Sequence, residues 1–182
     1  MMINKALEIA RLAHQGQFRK GSQIPYILHP MEAGVIAASL SSKDKQVDQD
    51  LVAAALLHDV IEDTDLSYKD LQGKFNERVI GLIRLQSEDK TKSWQERKKK
   101  TIELLENNKD IDLEIVTLAD KLSNLRSIYK DYKILGEDLW KKFNVKEKGK
   151  HAWYYKSIGE NIKQLNDSRE YGEYVELLEV FN

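Results

Sequence analysis

The sequence predicts an all-α protein, and three observations lead to that prediction. Apolar residues recur at helical spacing, as Ile3, Leu7 and Ala10 do, and no segment shows the alternation of a half-buried strand. Only two prolines occur, Pro25 and Pro30, and both lie in one short segment. Residue patterns that begin helices recur along the chain. We therefore expect a bundle of helices.

The first half of the chain predicts three helices. A loop that contains Gly16, Gly21 and Pro25 follows the first helical stretch. Pro30 suits the first turn of the next helix, because its missing N–H is not needed there. The predicted helices are one over about 3–13, one from Pro30 to about Leu40 with His29 just before it, and one capped by Asp48 or Asp50 that runs through AALLHDVIED.

The second half predicts five further helices and no linker between them. Ser67 with Asp70, and Ser93 with Glu96, have the spacing of capping boxes. The predicted helices are a short one after Ser67, then Trp94 to Glu106, Ile111 to Tyr132, Val145 to Leu165, and Ser168 to Phe181, with an interruption at Gly136. No repeat or low-complexity segment appears, so we expect residues 1–182 to form a single domain.

The composition bounds the possible partners. The chain is 41% hydrophobic and 32% charged, which is typical of a folded globular protein, and its formal net charge is −1. A chain with so little net charge has no bulk field to recruit nucleic acid or an anionic membrane, so we expect neither partner. Any anionic substrate must be held by a local group of cations. The oligomeric state is left open.

Several other classes of site and location are disfavoured. The chain has no cysteine, which excludes disulfides, thiolate zinc sites and a cysteine nucleophile. Its longest apolar run, Leu51 to Leu57, is far shorter than the ~20 residues of a membrane span. The N-terminal segment is amphipathic and carries Glu8, unlike a signal peptide. We expect a cytoplasmic protein.

The run AALLHDVIEDTD, which ends at Asp65, places ionisable groups at the end of an apolar helix. At about 100° per residue, His58, Asp59, Glu62 and Asp63 lie at roughly 0°, 100°, 40° and 140°, within one half of the helix. A carboxylate moved into an apolar interior without a partner is costly. Some positive charge must therefore compensate these acids.

Two further residues complete a possible metal site. Asp120 lies in TLADKLSNL among apolar residues that predict burial, and His29 lies in PYILHP. Together with His58 and Asp59, they supply two imidazoles and two carboxylates from three separated segments. Such a set suits a divalent ion, and the ion would compensate the buried acids.

Each of these residues also has a simpler interpretation. A His-Asp pair is common by chance, Asp120 could be satisfied by a neighbouring cap, and His29 could face water. Asp63 and Asp65 resemble the start of a calcium loop, but the glycine and glutamate of an EF-hand do not follow. His14 and His151 have no partner motif and are interpreted as structural. The joint appearance of the four ligand candidates favours the metal site.

The ordered blocks RKGSQIPYILHP, HDVIEDTD, EDK…ERK and LADKLSNLRSI resemble the HD-domain metal-dependent phosphohydrolases. They are closer still to the RelA/SpoT-type alarmone hydrolase domain and its single-domain relatives, over about residues 3 to 165. The resemblance implies a helical bundle of the HD type. It also implies removal of pyrophosphate from the 3′ position of guanosine tetra- or pentaphosphate (ppGpp or pppGpp), which leaves GDP or GTP.

The resemblance also implies roles for individual residues. The metal ligands would be His29, His58, Asp59 and Asp120, holding one Mn²⁺ per chain. Glu62 and Asp63 would act on the attacking water and the leaving group. The substrate, a small-molecule nucleotide, would meet Arg19 and Lys20 at the mouth of the site and Tyr26, Lys121 and Asn124 near its nucleoside and phosphates.

Local cations and the C-terminal aromatic residues extend this set. Lys90, Lys92 and Arg97 are further candidates to bind the anionic substrate, whereas Lys98 to Lys100 are interpreted as a solvated helix face. Among the aromatic residues of HAWYYKSI, Tyr154 is our candidate for the nucleoside end of the pocket, and a core role is equally compatible with the helical spacing. The same spacing leaves Tyr155 open as the residue that faces the pocket.

The sequence departs from the family pattern at two places. QSEDK differs from the threonine-aspartate form expected there, and the segment LWKKFNVKEKGKHAWYYKSI resembles bacterial single-domain relatives. The chain is too short to include a synthetase half. Two alternatives remain: hydrolysis of another nucleotide or phosphorylated metabolite, and a non-catalytic nucleotide sensor. The Glu62–Asp63 pair disfavours the sensor, because a pure binder does not need both acids.

Overall fold

The computed structural model describes residues 1–42 and 46–182, and the regular structure of these residues is helical. This part of the chain forms no β-strand, which confirms the all-α prediction. The α-helices are α1 (Met2–Ala13), α2 (Leu28–Leu40), α3 (Gln49–Leu57), α4 (Val60–Asp63), α5 (Tyr68–Leu71), α6 (Glu77–Gln86), α7 (Trp94–Asn107), α8 (Ile111–Leu135), α9 (Lys148–Asn161) and α10 (Arg169–Leu177). Short 3-10 helices follow α8 and α10, at Gly136–Lys142 and Leu178–Phe181.

Helix α3 lies at the centre of the bundle. Every residue from Leu51 to Leu57 is buried, and the helix packs against α1, α2, α6 and α8. A Cβ at Gly34 of α2 would lie 3.0 Å from the side chain of Leu56, so this glycine permits the close approach of α2 and α3. That approach places the start of α2 beside the end of α3, where the ionisable residues lie.

Helix α8 is the longest element, and it carries the LADKLSNL motif into the core. Its 25 residues span about 37 Å. Asp110 caps its first turn by accepting from the backbone N–H of Asp112. The helix ends at Gly136, whose φ of 55° lies in the region that favours glycine. The predicted interruption is confirmed, and α8 packs on both α2 and α10.

Most helix starts follow the predicted signals. Both capping boxes, Ser67 with Asp70 and Ser93 with Glu96, are formed. Asp48, rather than Asp50, caps α3. The sequence prediction missed α6, which begins after Asn76 and buries residues at helical spacing along one face. The N-cap and that spacing were the available signals for it.

Two predicted boundaries near the ionisable residues are wrong. The helix that carries AALLHDVIED does not continue through the motif, because α3 ends at Leu57 and α4 begins at Val60. His29 lies inside the first turn of α2 rather than before it. Among the described residues, no helix combines the length and the apolar character needed to cross a membrane.

Candidate functional site

The structure brings together the four predicted metal ligands at the ends of α2 and α3 and the middle of α8. The Nε2 atoms of His29 and His58 are 3.2 Å apart. Asp120 Oδ1 lies 3.3 Å from the first nitrogen and 3.5 Å from the second. Asp59 Oδ2 lies 3.5 Å and 3.1 Å from the same two atoms. His29, His58 and Asp120 are buried and form a group that could hold a metal ion.

Hydrogen bonds on the far side of each imidazole fix the tautomer of both histidines. His58 Nδ1 lies 2.7 Å from the Ala55 carbonyl, which can only accept, so Nδ1 carries the proton. The Ser123 hydroxyl donates to Glu32 at 2.7 Å and therefore accepts from His29 Nδ1 at 2.8 Å. In the neutral form of each ring, Nε2 therefore keeps a lone pair, and this lone pair faces the two carboxylates. Such outer hydrogen bonds are typical of metal-ligating histidines.

The negative charges of the site favour the binding of a cation. Burial disfavours the charged form of His58, but the negative charges of Asp59 and Asp120 outweigh it and raise the pKa of His58 well above its usual value. Burial likewise opposes ionisation of Asp120, yet the charges of Lys121 and His58 hold its pKa well below the usual range. The two carboxylates thus draw positive charge to the Nε2 side of the imidazoles. When a metal ion takes the place of the proton, two neutral imidazoles and two carboxylates form a donor set that fits a divalent ion.

Three predicted substrate residues contact the ligand carboxylates directly. Lys121 Nζ lies 2.5 Å from Asp120 Oδ2, and Asn124 donates to Asp120 Oδ1 at 2.6 Å. The Tyr26 hydroxyl donates to Asp59 Oδ2. Burial raises the pKa of Tyr26, and the charge of Asp59 raises it further, so the hydroxyl stays a donor. These contacts orient the two carboxylates towards the imidazoles.

Because α3 ends before His58, the paired acids Glu62 and Asp63 lie on a separate short helix, α4, and not on a continuation of α3. The Ala55 carbonyl accepts from the His58 ring, and the short helix α4 then starts a new turn that contains Glu62 and Asp63. Burial raises the pKa of Glu62, and the neighbouring carboxylates, Glu88 first, add to the effect. Lys90 Nζ contacts Asp63 Oδ1 at 2.7 Å and the Glu62 carbonyl at 2.6 Å. Lys90 is therefore in direct contact with both of the paired acidic residues.

A cavity of ≈ 190 Å³ opens beside the ligand cluster. Four of the predicted substrate residues line it, namely Arg19, Lys20, Tyr26 and Asn124. Its other lining residues were not predicted as site residues: Ser127, Ile128, Asp131, Lys142, Phe143 and Tyr155. The signal for three of these was the helical spacing from Asn124, which places positions 127, 128 and 131 on the same face of α8.

Tyr155, rather than Tyr154, lines this cavity. Tyr154 is buried, and the ammonium groups of Lys98 and Lys121 lie 4.8 Å and 5.6 Å from its ring centroid. Such cation–π contacts are strengthened when the cation is desolvated. Tyr154 thus belongs to the packing that surrounds Lys121.

The interpretation of Lys98 as part of a solvated face is wrong. Its side chain is mostly buried and its Nζ lies 2.6 Å from Glu88 Oε1. Arg97 contacts the other oxygen of Glu88, also at 2.6 Å. Glu88 belongs to the segment where the sequence departs from the family pattern, and its backbone N–H donates to Glu62 at 3.3 Å. Lys92 and Lys100 are exposed.

An all-α bundle that gathers two histidines and two aspartates from three helical segments has the architecture of the HD-domain class. A model of the HD domain matches residues 6–143. The chain belongs to the HD-domain family, and this family implies a divalent metal ion at the buried His-His-Asp group.

Its relatives include proteins named as hydrolases of the same class of nucleotide. The chain is 38% identical over 125 residues to the guanosine-3′,5′-bis(diphosphate) 3′-pyrophosphohydrolase MESH1 of Drosophila melanogaster, and the match covers 68% of each. It is 34% identical over 133 residues to the bifunctional (p)ppGpp synthase/hydrolase SpoT of Escherichia coli K12, and the match covers 69% of this chain and 18% of that protein. The chain thus matches less than a fifth of the length of SpoT.

Solved structures share the fold, and two of them are similar to this chain over most of its length. One, described as a metazoan ortholog of SpoT that hydrolyzes ppGpp, matches with a TM-score of 0.79 at 27% identity, over 98% of this chain and 94% of that one. The other, from Listeria monocytogenes EGD-e, gives a TM-score of 0.72 at 28% identity over 83% and 96% of the two chains. The resemblance to HD-domain and RelA/SpoT-type hydrolases that the sequence predicts is confirmed.

Proposed function

We propose that this chain is a metal-dependent 3′-pyrophosphohydrolase that converts ppGpp or pppGpp to GDP or GTP and pyrophosphate. The observation that supports this most strongly is the group of two imidazoles, whose Nε2 atoms face two carboxylates, beside a cavity lined by cations. The names of its relatives supply the substrate. We further propose that residues 1–182 act as one hydrolase domain.

The proposed ligands are His29, His58, Asp59 and Asp120, with one Mn²⁺ per chain. A divalent ion, when bound, lowers the pKa of water and offsets charge on a phosphoryl oxygen. Ala55 and Ser123 keep both imidazoles in the tautomer that offers Nε2. Tyr26, Lys121 and Asn124 hold the carboxylates in place. Loss of such outer contacts typically lowers metal affinity or activity 10–100-fold, roughly.

Glu62 and Asp63 are the proposed acid–base pair. Water forms a bond to the phosphorus attached to the ribose 3′ oxygen, the bond from that phosphorus to the 3′ oxygen breaks, and pyrophosphate leaves. A carboxylate takes a proton from the water, and the 3′ oxygen receives one. The raised pKa of Glu62 favours the protonated form that a proton donor needs. Asp63, held by Lys90, is the proposed base.

The substrate is proposed to enter the cavity beside the ligands. Arg19, Lys20 and Lys142 supply the positive charge that a nucleotide with four or five phosphates requires. Phe143 and Tyr155 supply the aromatic wall for its base. Lys90 and Lys121 would also bind phosphates of the substrate, beside the carboxylates that they contact. The ring of Tyr154 packs against Lys121 in a cation–π contact.

We expect the purified protein with Mn²⁺ to release pyrophosphate and GDP from ppGpp. Ion-exchange chromatography of the nucleotide, together with separate assays for pyrophosphate and orthophosphate, measures this directly. Orthophosphate in place of pyrophosphate would contradict the proposed point of attack and would favour the broader phosphatase alternative. Nucleotide binding without turnover would favour the sensor.

Replacing Arg19 with Ala is expected to raise the Michaelis constant about 10-fold and to change the turnover number little. The reason is that a cation at the cavity wall contributes equally to the ground state and the transition state. Steady-state kinetics with ppGpp measures both constants. The matched control is Arg11→Ala, which removes an exposed arginine of α1. A lower turnover number with an unchanged Michaelis constant would instead assign Arg19 to the transition state.

A further inference from the structure

The helix that carries the acid–base pair cannot hold its own shape. Helix α4 has four residues, and a helix of that length is unstable in isolation, because nucleation is unfavourable. The last carbonyls of any helix also lack partners within the helix. The direction in which the Asp63 carboxylate points must therefore be set by groups from elsewhere in the chain.

Side chains from two other segments contact the last two carbonyls of α4. Gln17 Nε2 donates to the Asp63 carbonyl at 2.8 Å, across 46 positions of sequence. Lys90 Nζ donates to the Glu62 carbonyl at 2.6 Å. Thr64 adds a local bond from its hydroxyl to the Val60 carbonyl at 2.5 Å. The backbone of the acid pair is thus held from the loop after α1 and from the segment before α7.

Gln17 is itself held by a buried histidine. The Asp63 carbonyl can only accept, so the NH₂ group of Gln17 must face it and the amide oxygen must face His14. His14 Nδ1 lies 2.8 Å from that oxygen and therefore donates to it. His14 is buried, and its ring centroid lies 4.9 Å from that of Tyr26, whose hydroxyl donates to Asp59. His14 Nε2 has no hydrogen-bond partner among the described residues.

We propose that Gln17, oriented by His14, is a positioning residue that fixes the Asp63 backbone and thereby aims its carboxylate at the reacting water. This proposal rests on the proposed hydrolase function. The His14–Gln17 pair lies on the N-terminal segment and touches Asp63 through its carbonyl, so it contributes no atom to the reaction itself. Errors of about 1 Å in the placement of a reacting group cost up to about 10²-fold in rate.

The first test replaces Gln17 with Leu, which keeps the approximate size and removes both hydrogen bonds. We expect the turnover number to fall about 10–100-fold with an unchanged Michaelis constant and unchanged metal occupancy. The matched control is Gln15→Leu, because Gln15 is an exposed glutamine of the same loop. The thermal midpoint of each variant should stay within about 4 °C of wild type. An unchanged turnover number in the Gln17 variant would overturn the proposal.

A double-mutant cycle separates positioning from general structural damage. If Gln17 acts through Asp63, Gln17→Leu should lower turnover by less than about twofold when Asp63 is already Asn, because coupled residues are not additive. If the double variant lost turnover by the product of the two single-variant losses, the two residues would act independently and the proposal would be overturned. Gln17→Glu is a second variant: it keeps the acceptor for His14 but loses the donor to Asp63, and the same fall in turnover is expected.

Hydrogen–deuterium exchange provides a readout that does not need the substrate. We expect the amides of residues 60–65 to exchange faster in Gln17→Leu than in wild type, and no change in Gln15→Leu. Unchanged exchange in the Gln17 variant would overturn the proposed contact. If the wild-type protein released no pyrophosphate, the proposed function would fail, and the exchange result would still decide whether Gln17 holds this turn.

Discussion

Replacing Asp63 with Asn is expected to lower the turnover number by about 10²–10⁴-fold, the range that general acid–base groups supply. Asn keeps the shape and volume of the side chain but loses its charge and its capacity to exchange a proton. Its oxygen can still accept from Lys90, which lies 2.7 Å from Asp63 Oδ1, so the turn should keep its geometry. Metal occupancy should stay near that of wild type, because Asp63 is not one of the four proposed ligands.

Steady-state kinetics and metal analysis of the same samples check this result. The control is Asp65→Asn, because Asp65 is an exposed aspartate two positions further along the chain. Asp59→Asn provides the contrast, and we expect it to lose metal and activity together. An empty metal site in Asp63→Asn would show that Asp63 is a ligand or holds one, and the proposed division of roles would be wrong.

Replacing Asp120 with Ala is expected to empty the metal site and to reduce hydrolysis to background. Asp120 Oδ1 lies within 3.5 Å of both imidazole Nε2 atoms, so its removal takes away one of the two carboxylates that face both histidines. Metal that binds only the folded state stabilises it, by ≈ 2.7 kcal/mol at 100 times the dissociation constant. For a domain of this size, saturating Mn²⁺ should raise the thermal midpoint of wild type by about 5–10 °C.

Metal analysis and thermal unfolding with and without Mn²⁺ test this expectation. Asp120→Ala also leaves the mostly buried Lys121 without its 2.5 Å partner, so the variant should be less stable even without metal. Asp120→Asn keeps an acceptor for Lys121 and isolates the loss of metal binding. Asp167→Ala, at an exposed aspartate, should behave as wild type. Equal metal occupancy in wild type and Asp120→Ala would remove Asp120 from the site.

Much of the fold could be predicted because its signals are local. Capping boxes at Ser67 and Ser93, and the glycine at 136, act over three or four residues, and the structure has them where the sequence placed them. The missed helix α6 has its own cap at Asn76. The apolar spacing carries no signal for the break after Leu57, where the Ala55 carbonyl accepts from the His58 ring.

The four ligand candidates came from residue type and order, which a sequence contains in full. Histidines and aspartates set apart in three helical segments, each in an apolar context, are unusual enough to suggest a shared ion. That the four donors meet depends on the close approach of α2 to α3 and on the packing of α8 against both. The tautomers of His29 and His58 depend on Ser123 and Ala55, which no spacing rule indicates.

The helical class, the family resemblance and the identity of the candidate ligands and acids all follow from the amino-acid sequence alone. The partner of each side chain could be known only once the helices were packed together. In the folded bundle Lys90 contacts the acid pair, Tyr155 lines the cavity, Lys98 contacts Glu88, and Gln17 donates to the Asp63 carbonyl. The difference lies in how far apart in sequence the interacting residues are. Helix periodicity and caps act between near neighbours in the chain. The contacts of Lys98, Lys90 and Gln17 join residues 10 to 46 positions apart, and the cavity wall joins Tyr155 to residues still further away, so these groups meet only when the bundle packs.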